Sequence, residues 1–434
     1  MATETQTAEQ TSQRLTDATT KASSESIKDR YRRVRELSMR IAAPLSAEDC
    51  AIQSMPDASP TRWHLAHTTW FFETFLLKER PGFAPFNPSF ERLFNSYYNS
   101  VGQPFPRNRR GQISRPGLNE TIDYRRHVDD AVTELLSESE LSPSQLSVLE
   151  LGLNHEQQHQ ELMFTDVKHA LASNPLHPIY AEDPFDSTTA PKASPLRWRS
   201  SDETIVEVGH DGNGFAYDNE GPRHRELIHP HQMASRCVTN REYLEFIHDG
   251  GYRQPEYWLS LGWDAVNQHG WEAPLHWISQ NGDWHQFTLS GVRPLVLDEP
   301  VCHVSYFEAD AFARWSGKRL PTEFEWEHAA SGDTTGEIFC DKLLQSGGVV
   351  HPRVTGDSDF LGNVWEWTAS QYLPYPGYRP VGGALGEYNG KFMCNQFVLR
   401  GGSCATSSDH IRLSYRNFFP PDARWQFAGI RLAQ

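Results

Sequence analysis

The stretch SPSQLSVLELGLNHEQQHQE, residues 142–161, decides how the first half of the chain is read. Ser142 and Gln145 stand at capping-box spacing with Pro143 at the first helical position, so a helix opens here and runs to about Leu171. Within it, His155-Glu156-Gln157-Gln158-His159 sets two imidazoles at i and i+4, on one face, where both can address one metal ion. Neutral imidazoles suit zinc, iron, copper or nickel and do not choose among them. The same five residues match the HExxH pattern of zinc proteases, in which the glutamate is the general base and a further ligand lies downstream.

Working outward, three more helices precede this one. The first runs from Ile27 toward Ala43 and stops before Pro44. The second is announced by Ser59-Pro60, read as an N-cap followed by proline at the first helical position, and runs until Pro81-Gly82. The third starts near Asn119 and carries Ile122, Val128, Val132, Leu135 and Leu136. Four helices with one long connection, residues 81–118, predict a four-helix bundle over residues 25–172. The second helix holds Trp63-His64-Leu65-Ala66-His67-Thr68-Thr69-Trp70, with two histidines among apolar neighbours. One of them joined to the His155/His159 pair gives a three-histidine site with open coordination positions. Periodicity does not choose between His64 and His67.

Residues 1–24, rich in Thr, Ser, Gln and Glu, read as a disordered leader. Residues 173–198 hold Pro175, Pro178, Pro184, Pro191 and Pro195 without a sustained period, and read as a linker or wrapping arm. Residues 199–434 turn to short apolar runs, many Trp and Gly, and two helices, Asn240–His248 and Tyr306–Ser316. The fold class is therefore α+β multidomain.

The 434 residues carry 40 Lys and Arg against 56 Asp and Glu, a net charge of −16. Such acidity excludes a phosphate-tracking nucleic-acid surface. No run approaches the roughly 18 apolar residues of a membrane span, and the N-terminus has neither the basic nor the apolar region of a signal peptide. Six cysteines without CxxC pairing fit a reducing compartment, and the expected location is the cytoplasm.

Two further regions hold chemistry-bearing side chains. The long connection contains Tyr97-Tyr98 and then Arg107-Asn108-Arg109-Arg110, a loop able to clamp a small carboxylate with bidentate arginines and to offer phenolic protons. Near the end, Tyr415-Arg416-Asn417-Phe418-Phe419-Pro420-Pro421 sets aromatic rings side by side, which can wall a quaternary ammonium or simply fill a core. Four other segments read as scaffold, with glycines for turns, tryptophans for packing and Glu/Arg for buried ion pairs. They are Val238–Tyr243, Arg319–Glu327, Gly362–Thr368 and Leu399–Ser403.

Together those four segments resemble the formylglycine-generating-enzyme-like domain, a C-type-lectin-like fold. The helical half resembles the DinB-type bundle, with Trp63–Trp70 and His155–Glu161 as its iron-site strings. In this order they resemble the iron(II) sulfoxide synthases of ergothioneine biosynthesis. The resemblance implies an iron(II) cofactor held by His67, His155 and His159, and a reaction with O2 that joins a thiol sulfur to imidazole C2 of hercynine (trimethylhistidine) and oxidises that sulfur. It implies that Gln158 binds the imidazole, and that Asn417 and Phe418, with Phe419 beside them, receive hercynine's carboxylate and trimethylammonium.

The members that use γ-glutamylcysteine have an acidic residue and an arginine in the last loop, where this chain has Phe419 and Ala423. Their C-terminal tyrosine also has no clear counterpart here; Met393 is near its place. The resemblance therefore points to the cysteine-using branch, with Arg107 and Arg110 holding the L-cysteine carboxylate and Tyr98, or second Tyr97, as proton donor. The alternatives are γ-glutamylcysteine as thiol, an ovothiol-type synthase joining cysteine to histidine C5, a selenosugar-using relative, or the zinc protease. Formylglycine generation needs a cysteine pair after Gly-Gly-Ser, and Cys404 is followed by none.

Overall fold

In the computed structural model, which describes residues 26–138, 141–185, 190–332, 336–356, 359–383, 386 and 389–434, a helical half is followed by a mixed one. The expected leader, residues 1–24, lies outside the described residues. The helical half has four main helices: α1 (Ile27–Ala42), α2 (Thr61–Phe72), α3 (Leu118–Glu138) and α4 (Pro143–Ala172). The capping box that opens α4 is present, Ser142 Oγ accepting from the Gln145 amide and the Gln145 side chain accepting from the Ser142 amide.

The start of α2 departs from expectation. Pro60, not Ser59, is the N-cap, with φ −60° and ψ 142°, and Thr61 begins the helix. The proline ring holds φ at a value that the extended cap shares. Ser59 Oγ, the atom a cap would use, instead accepts from Arg110 Nη1 at 2.9 Å, and the Ser59 amide donates to Asp166 Oδ2 at 2.8 Å. Past Phe72 the helix widens into π geometry over Glu73–Leu77.

Every residue of α2 except Arg62 is buried, so the helix has no polar face and must be packed on all sides. Its neighbours supply Tyr31, Tyr124, Val128, Leu149 and Leu153 to one aromatic-rich core. Helix α4 crosses α2 at Gly152. A Cβ there would lie 2.5 Å from Phe72 Cε1 and 2.9 Å from Phe71 Cε1, so only glycine permits this approach. The crossing sits one turn before His155 and sets how near the two helices' histidines come.

Residues 173–185 and 190–197 form neither helix nor strand. Tyr180 in this stretch donates its hydroxyl to Ile41 O at 2.7 Å and its amide to Leu289 O at 2.8 Å, tying both halves together.

The second half begins with two strand pairs. Strand β1 (Trp198–Ser201) lies against β4 (His231–Ala234), and β2 (Thr204–Val208) against β3 (His224–Ile228), both antiparallel. After α5 (Asn240–His248) and α6 (Ser260–His269) comes a three-stranded sheet, β5 (Trp277–Gln280), β6 (Asp283–Thr288) and β7 (Gly291–Pro294). Next are α7 (Tyr306–Trp315), α8 (Glu323–Ala330) and α9 (Cys340–Gln345). The last sheet runs in the order β10 (Asn417–Phe419), β9 (Phe397–Arg400), β8 (Trp365–Gln371), β11 (Ala428–Gly429), with only β11 and β8 parallel.

Helices α6, α8 and α9 are not anticipated by the sequence reading; at ten residues or fewer, none sustains a period. One of them does carry a signal, the Thr322/Glu325 capping box of α8.

The four scaffold segments behave as expected. Arg400, fully buried, pairs with Glu323 at 3.0 Å and Glu327 at 2.9 Å, while Arg431 pairs with Glu366 at 2.7 Å. Trp326, Trp365 and Trp367 are buried beside them, each ring removing about 150–250 Å² from water. These segments also dock α4. Glu161 Oε1 accepts from Trp365 Nε1 at 2.5 Å and Ser403 Oγ at 3.2 Å, and its Oε2 accepts from Thr406 Oγ1 at 2.8 Å. No described helix is long and apolar enough to cross a membrane.

Candidate metal centre and substrate pocket

His67 is held from three sides by its own helix and the loop beyond it. Its ring stacks between Trp63 (4.6 Å, 12°) and Trp70 (5.5 Å, 14°), the neighbours that helical spacing puts above and below it. Its Nδ1–H donates to Phe94 O at 2.6 Å, which leaves Nε2 without a proton. That Nε2 faces His155 Nε2 at 3.3 Å. His67, His155 and His159 each offer one ligand atom, all within 4.8 Å of one another. His155 Nδ1 is buried and has no hydrogen-bond partner among the described residues.

Burial pushes all three imidazoles toward the neutral form, His155 down to about 4 and His67 and His159 well below their ordinary value. Neutral nitrogens this close, pointed at a common centre, match the donor chemistry of a divalent transition metal.

His64 is not part of this cluster. Its Nδ1 meets His159 Nδ1 at 2.7 Å and its Nε2 meets Asp166 Oδ2 at 3.0 Å.

Glu156 turns away from the three histidines. Arg35 Nη1 at 2.9 Å, Arg125 Nη2 and Ser38 Oγ at 2.6 Å all donate to its carboxylate. Burial would raise its pKa, but Arg125 and Arg35 outweigh this and draw it down to about 2. A carboxylate locked into two ion pairs off the pocket cannot serve as the base of a zinc protease.

The cluster floors a cavity of about 290 Å³. Every candidate from the sequence lines it: Tyr97, Tyr98, Arg107, Arg110 and Gln158 from the first half, Asn417, Phe418 and Phe419 from the second. Arg110 is buried with its guanidinium 3.4 Å from the Trp63 ring centroid, donating to Ser59 Oγ at 2.9 Å and Ser96 Oγ at 2.7 Å. Arg107 Nη1 donates to the Tyr97 hydroxyl at 3.1 Å, and its other terminal nitrogen to Asp57 O. Tyr98 packs on Trp70 and Phe75 at 5.6 and 5.2 Å.

Strand β10 sets three successive residues at the opposite wall. Asn417 Oδ1 accepts from the Phe418 amide at 2.9 Å, Phe418 stacks on Tyr372 at 4.0 Å, and Phe419 meets Trp425 edge-on at 5.8 Å. Gln158 Nε2 donates to the Tyr415 hydroxyl at 2.7 Å.

Among the wall residues that the sequence reading did not propose are Trp63, Tyr415, Trp425 and Gln426. Trp425 Nε1 and Gln426 Nε2 are buried donors with no partner among the described residues. No local pattern marks these two. Trp63 and Tyr415 lie inside quoted motifs and could have been found there. Ala423 is buried, and its neighbour Arg424 is held by Glu308 Oε1 at 2.8 Å and the Trp271 ring at 4.3 Å.

The sulfatase-modifying factor enzyme 1-like domain family matches residues 189–351 and 342–434, and the DinB superfamily matches residues 30–163. Relatives along most of the chain include the hercynine oxygenase of Mycolicibacterium thermoresistibile, 31% identical over 421 residues, 87% of this chain and 88% of that protein. The hercynine oxygenase of Mycobacterium tuberculosis is 32% identical over 429 residues, 92% of this chain and 96% of that protein. The formylglycine-generating enzyme of Streptomyces coelicolor matches 51% of this chain and 83% of its own length at 28% identity. A DinB bundle precedes a formylglycine-generating-enzyme-like domain, as the sequence motifs predict.

Proposed function

The chain belongs to the hercynine oxygenase family, a family of non-heme iron oxidoreductases of ergothioneine biosynthesis, and from that premise we propose that it joins L-cysteine to imidazole C2 of hercynine and oxidises the sulfur. Cysteine S–H and imidazole C2–H give up their hydrogens, one atom of O2 ends on sulfur and the other leaves as water. The observation that carries this reading is the convergence of three neutral imidazoles in a pocket that Phe418, Phe419 and Trp425 also line. Iron(II) held by His67, His155 and His159 would supply the one-electron chemistry that lets O2 react with a thiol, with positions left open for it.

The remaining roles belong to side chains. Arg107 and Arg110 bind the cysteine carboxylate, Arg110 already flattened on Trp63 and Arg107 steered by the Tyr97 hydroxyl. Gln158, donating one amide N–H to Tyr415, offers Oε1 to accept an imidazole N–H. Asn417 meets the hercynine carboxylate, while Phe418 and Phe419 face its trimethylammonium by cation–π attraction. Tyr98 delivers the proton that oxygen reduction consumes, with Tyr97 as its neighbour on the arginine side.

Cysteine is favoured over γ-glutamylcysteine because Phe419 and Ala423 offer no ionic partner to a glutamyl group, and Arg424 is engaged by Glu308. The test is anaerobic loading with iron(II), then air, hercynine and cysteine, with mass analysis of the product. Hercynylcysteine sulfoxide is expected. Product only with γ-glutamylcysteine, or only with histidine in place of hercynine, overturns the assignment.

A further inference from the structure

Of the three clustered imidazoles, two are anchored through Nδ1, and by different means. His67 uses a backbone carbonyl, at 2.6 Å from Phe94 O. His159 uses another histidine. The proton positions in that second anchor follow from counting. His64 Nε2 lies 3.0 Å from Asp166 Oδ2, and an ionised carboxylate can only accept, so the His64 proton sits on Nε2. His64 Nδ1 is then bare. The nitrogen 2.7 Å away, His159 Nδ1, must therefore carry the proton between the two rings. A neutral imidazole protonated at Nδ1 has its lone pair on Nε2.

The carboxylate itself is fixed, since Asp166 Oδ2 also accepts the Ser59 amide at 2.8 Å. Asp166 and His64 are both buried, and a carboxylate–imidazole pair in such a place costs more than apolar packing would unless it serves another end.

We propose that Asp166 and His64 form a relay that locks His159 in the tautomer whose Nε2 binds the metal. Both are positioning residues: neither reaches the metal, and they act through His159. The inference rests on the metal reading of the three-histidine cluster.

Asp166→Leu discriminates, because it removes the acceptor that holds the His64 proton on Nε2 while keeping a side chain of similar size. His64 can then carry its proton on Nδ1, opposing His159 Nδ1–H, and His159 protonates the nitrogen needed by the metal or loses its anchor. His64→Phe removes the relay while keeping a ring in place. His64→Gln can accept from His159 and donate to Asp166, and is the rescue variant.

Iron(II) affinity is measured anaerobically by competition with a chromophoric chelator, with thermal unfolding of each apo protein alongside. Asp166→Leu and His64→Phe are expected to weaken iron binding about 10- to 100-fold, with His64→Gln within about threefold of the parent and His155→Ala binding none. Should Asp166→Leu fail to fold, the His64→Gln and His64→Phe pair decides the matter by the same affinity difference. Parental affinity in Asp166→Leu and His64→Phe, while His155→Ala binds no iron, overturns the relay and leaves the metal site standing. Parental affinity in His155→Ala as well overturns the metal site and the relay with it.

Discussion

Gln158 Nε2 and the hydroxyl of Tyr415 lie 2.7 Å apart across the seam between the bundle and the second half. The bond orients the Gln158 amide, so a residue of one half positions a pocket-lining group of the other. Tyr415→Phe deletes the acceptor while keeping the ring. Losing one such bond costs about 0.5–1.5 kcal/mol, so KM for hercynine is expected to rise roughly two- to tenfold with a smaller change in kcat. Steady-state kinetics at saturating cysteine checks this, and a fall in kcat alone would contradict it.

Tyr98→Phe keeps the ring packing on Trp70 and Phe75 and removes only the phenol. General acids contribute typically about 10²- to 10⁴-fold, so sulfoxide formation is expected to fall by at least the lower figure, with turnover diverted to oxidation of the thiol. Quantifying both products by mass spectrometry decides it. An unchanged product ratio rejects the acid role.

Competition between cysteine and γ-glutamylcysteine is expected to favour cysteine. Ala423→Arg together with Phe419→Asp, which supplies the missing ionic pair, should shift the ratio toward γ-glutamylcysteine by about tenfold or more, one charged contact being worth roughly 1.5–3 kcal/mol. Equal use of both thiols by the parent protein would show that those positions do not select.

Glu156→Gln leaves buried Arg125 without its carboxylate and Arg35 with Asp129 in place of two carboxylates, and is expected to cost about 3–5 kcal/mol of stability, while the iron-binding stoichiometry stays unchanged. The parent protein should lose stability on acidification. Glu156 titrates near 2 when folded against an ordinary 4.5, so as pH falls through that interval the unfolded chain takes up the proton first. The Glu156 contribution is complete above about 4.5 and gone below about 2. Denaturation midpoints against pH should be flatter in the variant; an equally steep fall would place the acid sensitivity elsewhere.

The bundle was legible because its signals are local. Ser142 with Gln145 and the histidines four residues apart are visible within one or two turns. The choice of His67 over His64 is of another kind. It depends on Phe94 and His155 meeting one ring and on Asp166 and His159 meeting the other, partners that no periodicity specifies. The same holds for the Ser59 hydroxyl, which accepts from Arg110 rather than capping the helix. Helix α6 stayed hidden because its sequence, Ser260-Leu261-Gly262-Trp263, looks like the loops around it. Gly262 is needed there because a Cβ would lie 2.9 Å from the Phe307 ring, a constraint set by a residue far along the chain.

Glu161 follows His159 by two residues and is gripped by Trp365, Ser403 and Thr406. An α-helix is stiff over so short a distance, so its rotation and axial position are dictated by the partner domain as much as by its own bundle. Expressed in isolation, the bundle would keep all three imidazoles and lose the clamp on their alignment. Any grafting of the bundle onto a foreign scaffold therefore has to reproduce the three donors to this carboxylate before it can reproduce the alignment of the histidines.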